Sequence, residues 1–130
     1  MRRFRYNKLV RHKIIDSMIK NKEFPRRRIL RSKQFRDELK KKLREEVEEL
    51  IASEGKEKLI AEIADVYEIL NCLLRNLNVS VKDIEVVRKR KLQKYGTFKE
   101  DAFLEWVETD IEKFIVSYMK HKKEYPEIKR

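Results

Sequence analysis

Apolar residues in this chain recur at intervals of three and four, the period of an α-helix with one face turned to a core. Leu39, Leu43, Val47 and Leu50 fall inside one narrow stripe at about 100° per residue. They predict a helix over about 33–53, opened by Ser32 as N-cap and stopped at Gly55. A second helix is predicted over about 56–77, where Leu59, Ile63, Val66, Tyr67, Leu70, Leu74 and Leu77 form a stripe that Ile69 and Leu73 widen. Apolar over much of its circumference, it reads as the central, most buried helix. Upstream, Leu9-Val10 and Ile14-Ile15 suit a short helix to about Asn21. Glu23-Phe24-Pro25 should end it, because proline disfavours helix in the residue before it. Downstream, Ser80 with Asp83 three residues on opens a helix to about Lys94, broken at Tyr95-Gly96-Thr97. The segment from Phe98 to about Lys122, with Phe103, Trp106, Val107, Ile111, Phe114, Ile115 and Tyr118, again reads as helical, and 123–130 as a frayed tail.

Composition supports long helices. Two glycines and two prolines in 130 residues leave little turn chemistry for a sandwich, a barrel or a Gly-rich phosphate loop. With no repeat and no linker, residues 1–130 read as a single all-α domain, a helical bundle built around a central antiparallel hairpin. No apolar run approaches the roughly 20 residues of a membrane span. The start, MRRFRYNKLVR, is charged with no apolar run behind it, unlike a secretory signal. The single cysteine, Cys72, lies in an apolar stretch, reads as a buried structural thiol and fits a reducing cytoplasm.

The net charge of +11 suggests a nucleic-acid partner at first sight. Its distribution changes that picture. Residues 1–44 carry a net +14, residues 45–78 a net −6 and residues 79–130 a net +3. A protein that merely coats phosphate has no use for the acidic middle.

Those acids are patterned. Glu46 and Glu49 stand three apart on the first long helix, Glu62 and Asp65 three apart on the second, so each pair shares a helix face. Glu46 and Asp65 lie equally far from a turn at Gly55-Lys56, and so do Glu49 and Glu62. In a hairpin four carboxylates would meet at one level. Glu46 also falls inside the apolar stripe, where desolvation is costly unless something neutralises it. At about 7 Å and an effective dielectric of about 20, each repulsive pair is worth about 2 kcal/mol. Six pairs then rival the stability of a whole domain. Either the side chains splay into water, as on any solvated Glu-rich face, or a cation belongs there. All-oxygen ligands suit Mg²⁺ or Mn²⁺, and no Cys/His set for zinc is at hand.

Glu45-Glu46-x-x-Glu49 followed, after twelve residues, by Glu62-x-x-Asp65 resembles the acidic motif of MazG-like all-α nucleoside triphosphate pyrophosphohydrolases. Tyr6-Asn7-Lys8-Leu9-Val10-Arg11-x-Lys13-Ile14 resembles the "YNKLVRDKI" opening of the subgroup called phosphoribosyl-ATP pyrophosphohydrolase-like. Lys91-x-x-Lys94-x-Gly96-x-Phe98 resembles that subgroup's downstream segment. The likeness spans roughly residues 4–105. It implies Mg²⁺-dependent cleavage between the α and β phosphates of a nucleoside triphosphate, giving a monophosphate and pyrophosphate, with nucleotide-pool house-cleaning as a role. Glu46, Glu49, Glu62 and Asp65 would be metal ligands, and Glu45 with Glu46 the catalytic carboxylates. Asn7, Lys8, Arg11, Lys91 and Lys94 would contact substrate. A homodimer or homotetramer in the cytoplasm is implied too, since a two-helix hairpin needs a partner layer to close its core. One departure is His12, where the subgroup carries Asp. Phosphoribosyl-ATP is the alternative substrate. The alternative from another class is a basic nucleic-acid-binding protein using the +14 front and Arg26-Arg27-Arg28-x-x-Arg31, which leaves the stripe-facing Glu46 unexplained.

Overall fold

The computed structural model describes residues 1–113 and 126–129. Helices α1 (His12–Lys20), α2 (Ser32–Ala52), α3 (Lys56–Asn76) and α4 (Val81–Tyr95) follow one another, with no strand among the described residues. The fold is all-α. The chain divides into two units, residues 1–91 and 92–130. No helix among the described residues is long and apolar enough to cross a membrane.

The centre of the first unit is the α2–α3 hairpin, the two helices packed along each other across a three-residue connection, Ser53-Glu54-Gly55. Gly55, at φ 88°, takes the left-handed backbone that only glycine enters without strain. Its carbonyl accepts the first α3 bond from the Leu59 amide, so it caps α3 rather than stopping α2. At the open end Arg36 Nε donates to Asn76 Oδ1 at 2.7 Å, and Asn76 Nδ2 donates to the Ser32 carbonyl at 3.1 Å. Those partners sit in nearly the mirror register that the acidic pairs require, so the hairpin is pinned at both ends. Arg31, not Ser32, is the N-cap of α2, and Ser32 serves instead as the anchor for Asn76.

One other helix end closes differently from expectation. α1 stops before Pro25 is reached. Lys22, at φ 61°, sits at the left-handed position while Lys22 N–H bonds the Ile19 carbonyl and Glu23 N–H bonds that of Met18, the paired closure usually built on glycine. Asn78, at φ 54°, does the same for α3. At α4 the expected reciprocal cap is present: Ser80 Oγ accepts from the Asp83 amide at 3.2 Å while Asp83 Oδ2 accepts from the Ser80 amide at 2.9 Å.

Burial corrects the reading of α3 as the most buried helix. The one fully buried apolar side chain among the described residues is Leu39 of α2, 2% exposed, and α3 contains none. The half-buried face of α3 runs through Glu62, Val66, Ile69, Leu73 and Asn76. Of the stripe expected to pack, Val66 and Leu74 are half-buried, while Leu59, Ile63, Tyr67, Leu70 and Leu77 stay exposed. A helix apolar around most of its circumference has two faces to bury, and α2 covers only the one that carries the acids. Cys72 is half-buried rather than buried, its Sγ 3.3 Å from Arg75 Nη2.

The expected helix from Phe98 is corrected over 98–110. Residues 102–110 have no regular structure, and Phe103, Trp106 and Val107 are exposed. The chain turns out of α4 at Gly96, φ 74°, and Asp101, φ 52°, two left-handed positions that a continuous helix does not tolerate. Residues 111–113 are helical, but Ile111, expected to pack, is exposed, and the packing expected of Phe114, Ile115 and Tyr118 lies outside the described residues.

Candidate active site

The hairpin brings together what the mirror spacing promised. Carboxylate oxygens of Glu46, Glu49 and Glu62 all lie within 4.8 Å of one another. Glu46 is buried, 9% exposed, because it shares the α2 stripe with Leu39, Leu43 and Leu50. Its Oε2 and that of Glu62 are both shut away from solvent, and neither finds a hydrogen-bond partner among the described residues. An orphaned buried acceptor costs about 1–3 kcal/mol, so two at one spot call for a ligand. Burial, then the charge of Glu49, pushes the Glu46 carboxyl above the usual carboxylate range; Lys42 opposes this and Asp65 adds to it.

A hard cation fits. Donors in a Mg²⁺ site sit about 2.1 Å from the ion, so opposite donors are about 4.2 Å apart. Of three donors at most one pair can be opposite, and adjacent donors are about 3 Å apart, so the three oxygens, all within 4.8 Å of one another, are gathered at one spot and draw closer to share an ion. All three are carboxylate oxygens, two of them without another partner, and no sulfur or imidazole is among them.

Asp65 is near enough to act on Glu46 but is turned to another partner: Arg11 Nη2 donates to its Oδ1 at 2.7 Å. Glu45 likewise stands outside the trio. Lys8 Nζ lies 3.1 Å from Glu45 Oε1, and the Lys8 hydrogen bond is the main reason that the Glu45 carboxyl is held below its ordinary range. Lys42 Nζ lies 3.4 Å from Glu45 Oε1 and 3.5 Å from Glu46 Oε1. Sequence reading missed Lys42, although its place three before Glu45 and four before Glu46 puts it on their helix face.

The match to a family model settles the lineage. The model for phosphoribosyl-ATP pyrophosphohydrolase matches residues 11–91, well over half of the chain. The chain belongs to the phosphoribosyl-ATP pyrophosphohydrolase family. No curated protein and no solved structure matches it significantly. Members of the family are pyrophosphohydrolases, hydrolases of acid anhydrides within the MazG-like all-α group, and this chain is one. The four paired acids, Glu45, Arg11 and Lys91 of the pyrophosphohydrolase lie inside the match, while Asn7, Lys8 and Lys94 lie outside it.

The remaining expected substrate contacts are spread more widely. Asn7, at φ 47°, turns the backbone just ahead of Lys8, a left-handed position that asparagine tolerates better than most residues. Lys91 and Lys94 are exposed on α4, Lys94 with its ammonium 5.1 Å from the ring of Tyr95. His12 is exposed as the first residue of α1, whose first turn holds no acid.

Proposed function

We propose that this pyrophosphohydrolase cleaves a nucleoside triphosphate between its α and β phosphates, releasing a monophosphate and pyrophosphate, as part of nucleotide-pool house-cleaning. The observation that carries the reading is the trio Glu46, Glu49 and Glu62 with its two buried, partnerless oxygens. These three, with Asp65, would hold Mg²⁺ or Mn²⁺. When bound, the metal neutralises polyphosphate charge and makes a coordinated water more acidic. Glu46 fixes the metal end of the site from inside the hairpin. Glu45, kept ionised by Lys42 and, before substrate binds, by Lys8 as well, orients the attacking water or takes up its proton. Asn7, Lys8 and Arg11 would contact the phosphates from the segment before α1, and Lys91 would add further positive charge from α4.

Phosphoribosyl-ATP is the second reading, favoured by the family match itself. It involves the same bond, so product analysis must include both substrates. Incubating the protein with Mg²⁺ and a panel of nucleoside triphosphates and phosphoribosyl-ATP, with Glu46→Gln alongside, tests the proposal. Pyrophosphate release by the wild type alone supports it; orthophosphate release refutes α–β cleavage. If no nucleotide turns over and the protein binds DNA in a salt-sensitive way, the basic connector at Arg26, Arg27, Arg28 and Arg31 gains the function instead.

The exposed α3 stripe supports a homodimer or homotetramer, closed by the same stripe on a second copy. Sedimentation of wild type and Tyr67→Glu tests it: only the wild type should associate. A cytoplasmic location is proposed from the single thiol.

A further inference from the structure

The segment ahead of α1 sends one cation to each helix of the hairpin. Lys8 reaches Glu45 on α2, and Arg11 reaches Asp65 on α3. Glu45 is the neighbour of Glu46, and Asp65 stands one turn beyond Glu62, so one ion pair lies beside the trio on each helix of the hairpin. Half-buried Leu9 and Val10 lie between the two cations in sequence and anchor the backbone of the segment. The side chains of Lys8 and Arg11 are 48% and 58% exposed. Pairs this open to water are weak and exchange readily.

Charge gives the segment a second role. Five carboxylates (Glu45, Glu46, Glu49, Glu62 and Asp65) face three cations (Lys8, Arg11 and Lys42), leaving the site two negative charges. Withdrawal of Lys8 and Arg11 would double that excess. Arg11 makes one hydrogen bond to Asp65 among the described residues, and most of the five donors of a guanidinium are left over. A planar fork with spare donors at the water-exposed rim is suited to phosphate oxygens.

We propose that Lys8 and Arg11 are exchangeable counter-ions: they neutralise Glu45 and Asp65 while the cluster holds no metal, and pass to the phosphates of the nucleotide when the carboxylates take up divalent cations. The inference rests on the metal-binding reading of the trio. It makes metal and phosphate loading reciprocal, since each frees the partner that the other needs. The residues outside the metal shell thereby oppose metal in the empty protein and favour nucleotide in the loaded one.

The test is Mn²⁺ titration without nucleotide, following the electron paramagnetic resonance of free Mn²⁺. The proteins are wild type, Arg11→Gln, Lys8→Gln, the charge-preserving Arg11→Lys, and Arg31→Gln as a remote control for net charge. Circular dichroism verifies that each variant keeps its helices. Arg11→Gln and Lys8→Gln should bind Mn²⁺ about two- to fivefold more tightly, the range of an exposed ion pair. Arg11→Lys and Arg31→Gln should stay near wild type. In a second titration with saturating Mg²⁺ and an α,β-methylene triphosphate analogue, Arg11→Gln and Lys8→Gln should bind the nucleotide more weakly. Unchanged or weaker Mn²⁺ binding by a folded Arg11→Gln, beside normal binding by the wild type, overturns the exchange and leaves the metal site standing. If neither the wild type nor Arg11→Gln binds Mn²⁺, the metal reading falls and takes the exchange with it. Tightening by Arg31→Gln to the same degree reduces the effect to net charge and also overturns it.

Discussion

Replacing Glu46 by Gln removes one buried charge with almost no change of shape. In the metal-free protein the charges on either side of it nearly cancel. Glu49 and Glu62 repel Glu46 from within 4.8 Å, each by about 3 kcal/mol at an effective dielectric of about 20. Solvent around the exposed Glu49 reduces its share. Lys42 at 3.5 Å returns about 4–5 kcal/mol on the same scale. What tips the balance is the orphaned Oε2, worth about 1–3 kcal/mol, since a Gln amide donates to a neighbouring carboxylate where the Glu oxygen had no partner. Glu46→Gln should therefore stabilise the metal-free protein by about 1–2 kcal/mol, a rise in melting temperature of roughly 4–8 °C. Its pH dependence follows from the raised Glu46 carboxyl. A group held above its unfolded value contributes stability that is complete below that value and lost as the pH rises through the folded one. Metal-free wild type should thus weaken from acidic towards neutral pH, and Glu46→Gln should weaken less. Added Mg²⁺ reverses the ranking: at about a hundredfold its dissociation constant it would stabilise the wild type by about 2.7 kcal/mol. The assay is thermal melting followed at 222 nm, with chelator and with Mg²⁺. A Glu46→Gln protein that melts below wild type in chelator, or responds to Mg²⁺ as wild type does, refutes the reasoning.

Lys8→Gln should flatten the acid limb of the stability profile. The Glu45 carboxyl is held low by Lys8, so its contribution is present above the unfolded value and lost as the pH falls through the folded one; an unchanged limb in an acid titration excludes that pair. Asn76→Ala removes the clamp on Arg36 and Ser32 and should lower stability by about 1–2 kcal/mol, seen as a lower urea midpoint at unchanged slope; a changed slope points instead to a hairpin that opens. Leu39→Ala should cost about 2–5 kcal/mol, more than any single truncation on the exposed α3 stripe, in the same urea series. His12→Asp places a negative charge at an α1 N-terminus that has none and should raise stability by about 0.3–1 kcal/mol, an increment that added salt shrinks.

Much of this molecule could be read from residue spacing. The extents of α2, α3 and α4, the Ser80–Asp83 cap and the meeting of Glu46, Glu49 and Glu62 follow from the periods of three and four and from mirror distance about one glycine. Those are local or nearly local relations, set by helix geometry once the turn is placed. The left-handed closure at Lys22 escaped notice because lysine rarely sits there, and proline two residues on from Glu23 gave a louder signal. The expected helix after Phe98 is missing over 98–110, because apolar spacing permits a helix without compelling one, while 111–113 are helical.

What spacing left open is which face of each helix meets which neighbour. In α3 two apolar faces compete for α2, and the one that carries Glu62 and Asp65 won, leaving Leu59, Ile63, Tyr67 and Leu70 exposed. Asn76 pairs with Arg36 on that same face, and this fixes the rotation. The partners of Glu45 and Asp65 likewise come from residues 37 and 54 positions away. By itself the sequence determined that four carboxylates would lie on two adjacent helices, because a helix repeats every 3.6 residues. Only the tertiary structure decided that three of them converge while Asp65 is drawn to Arg11, because long-range ion pairs depend on where the chain returns in space.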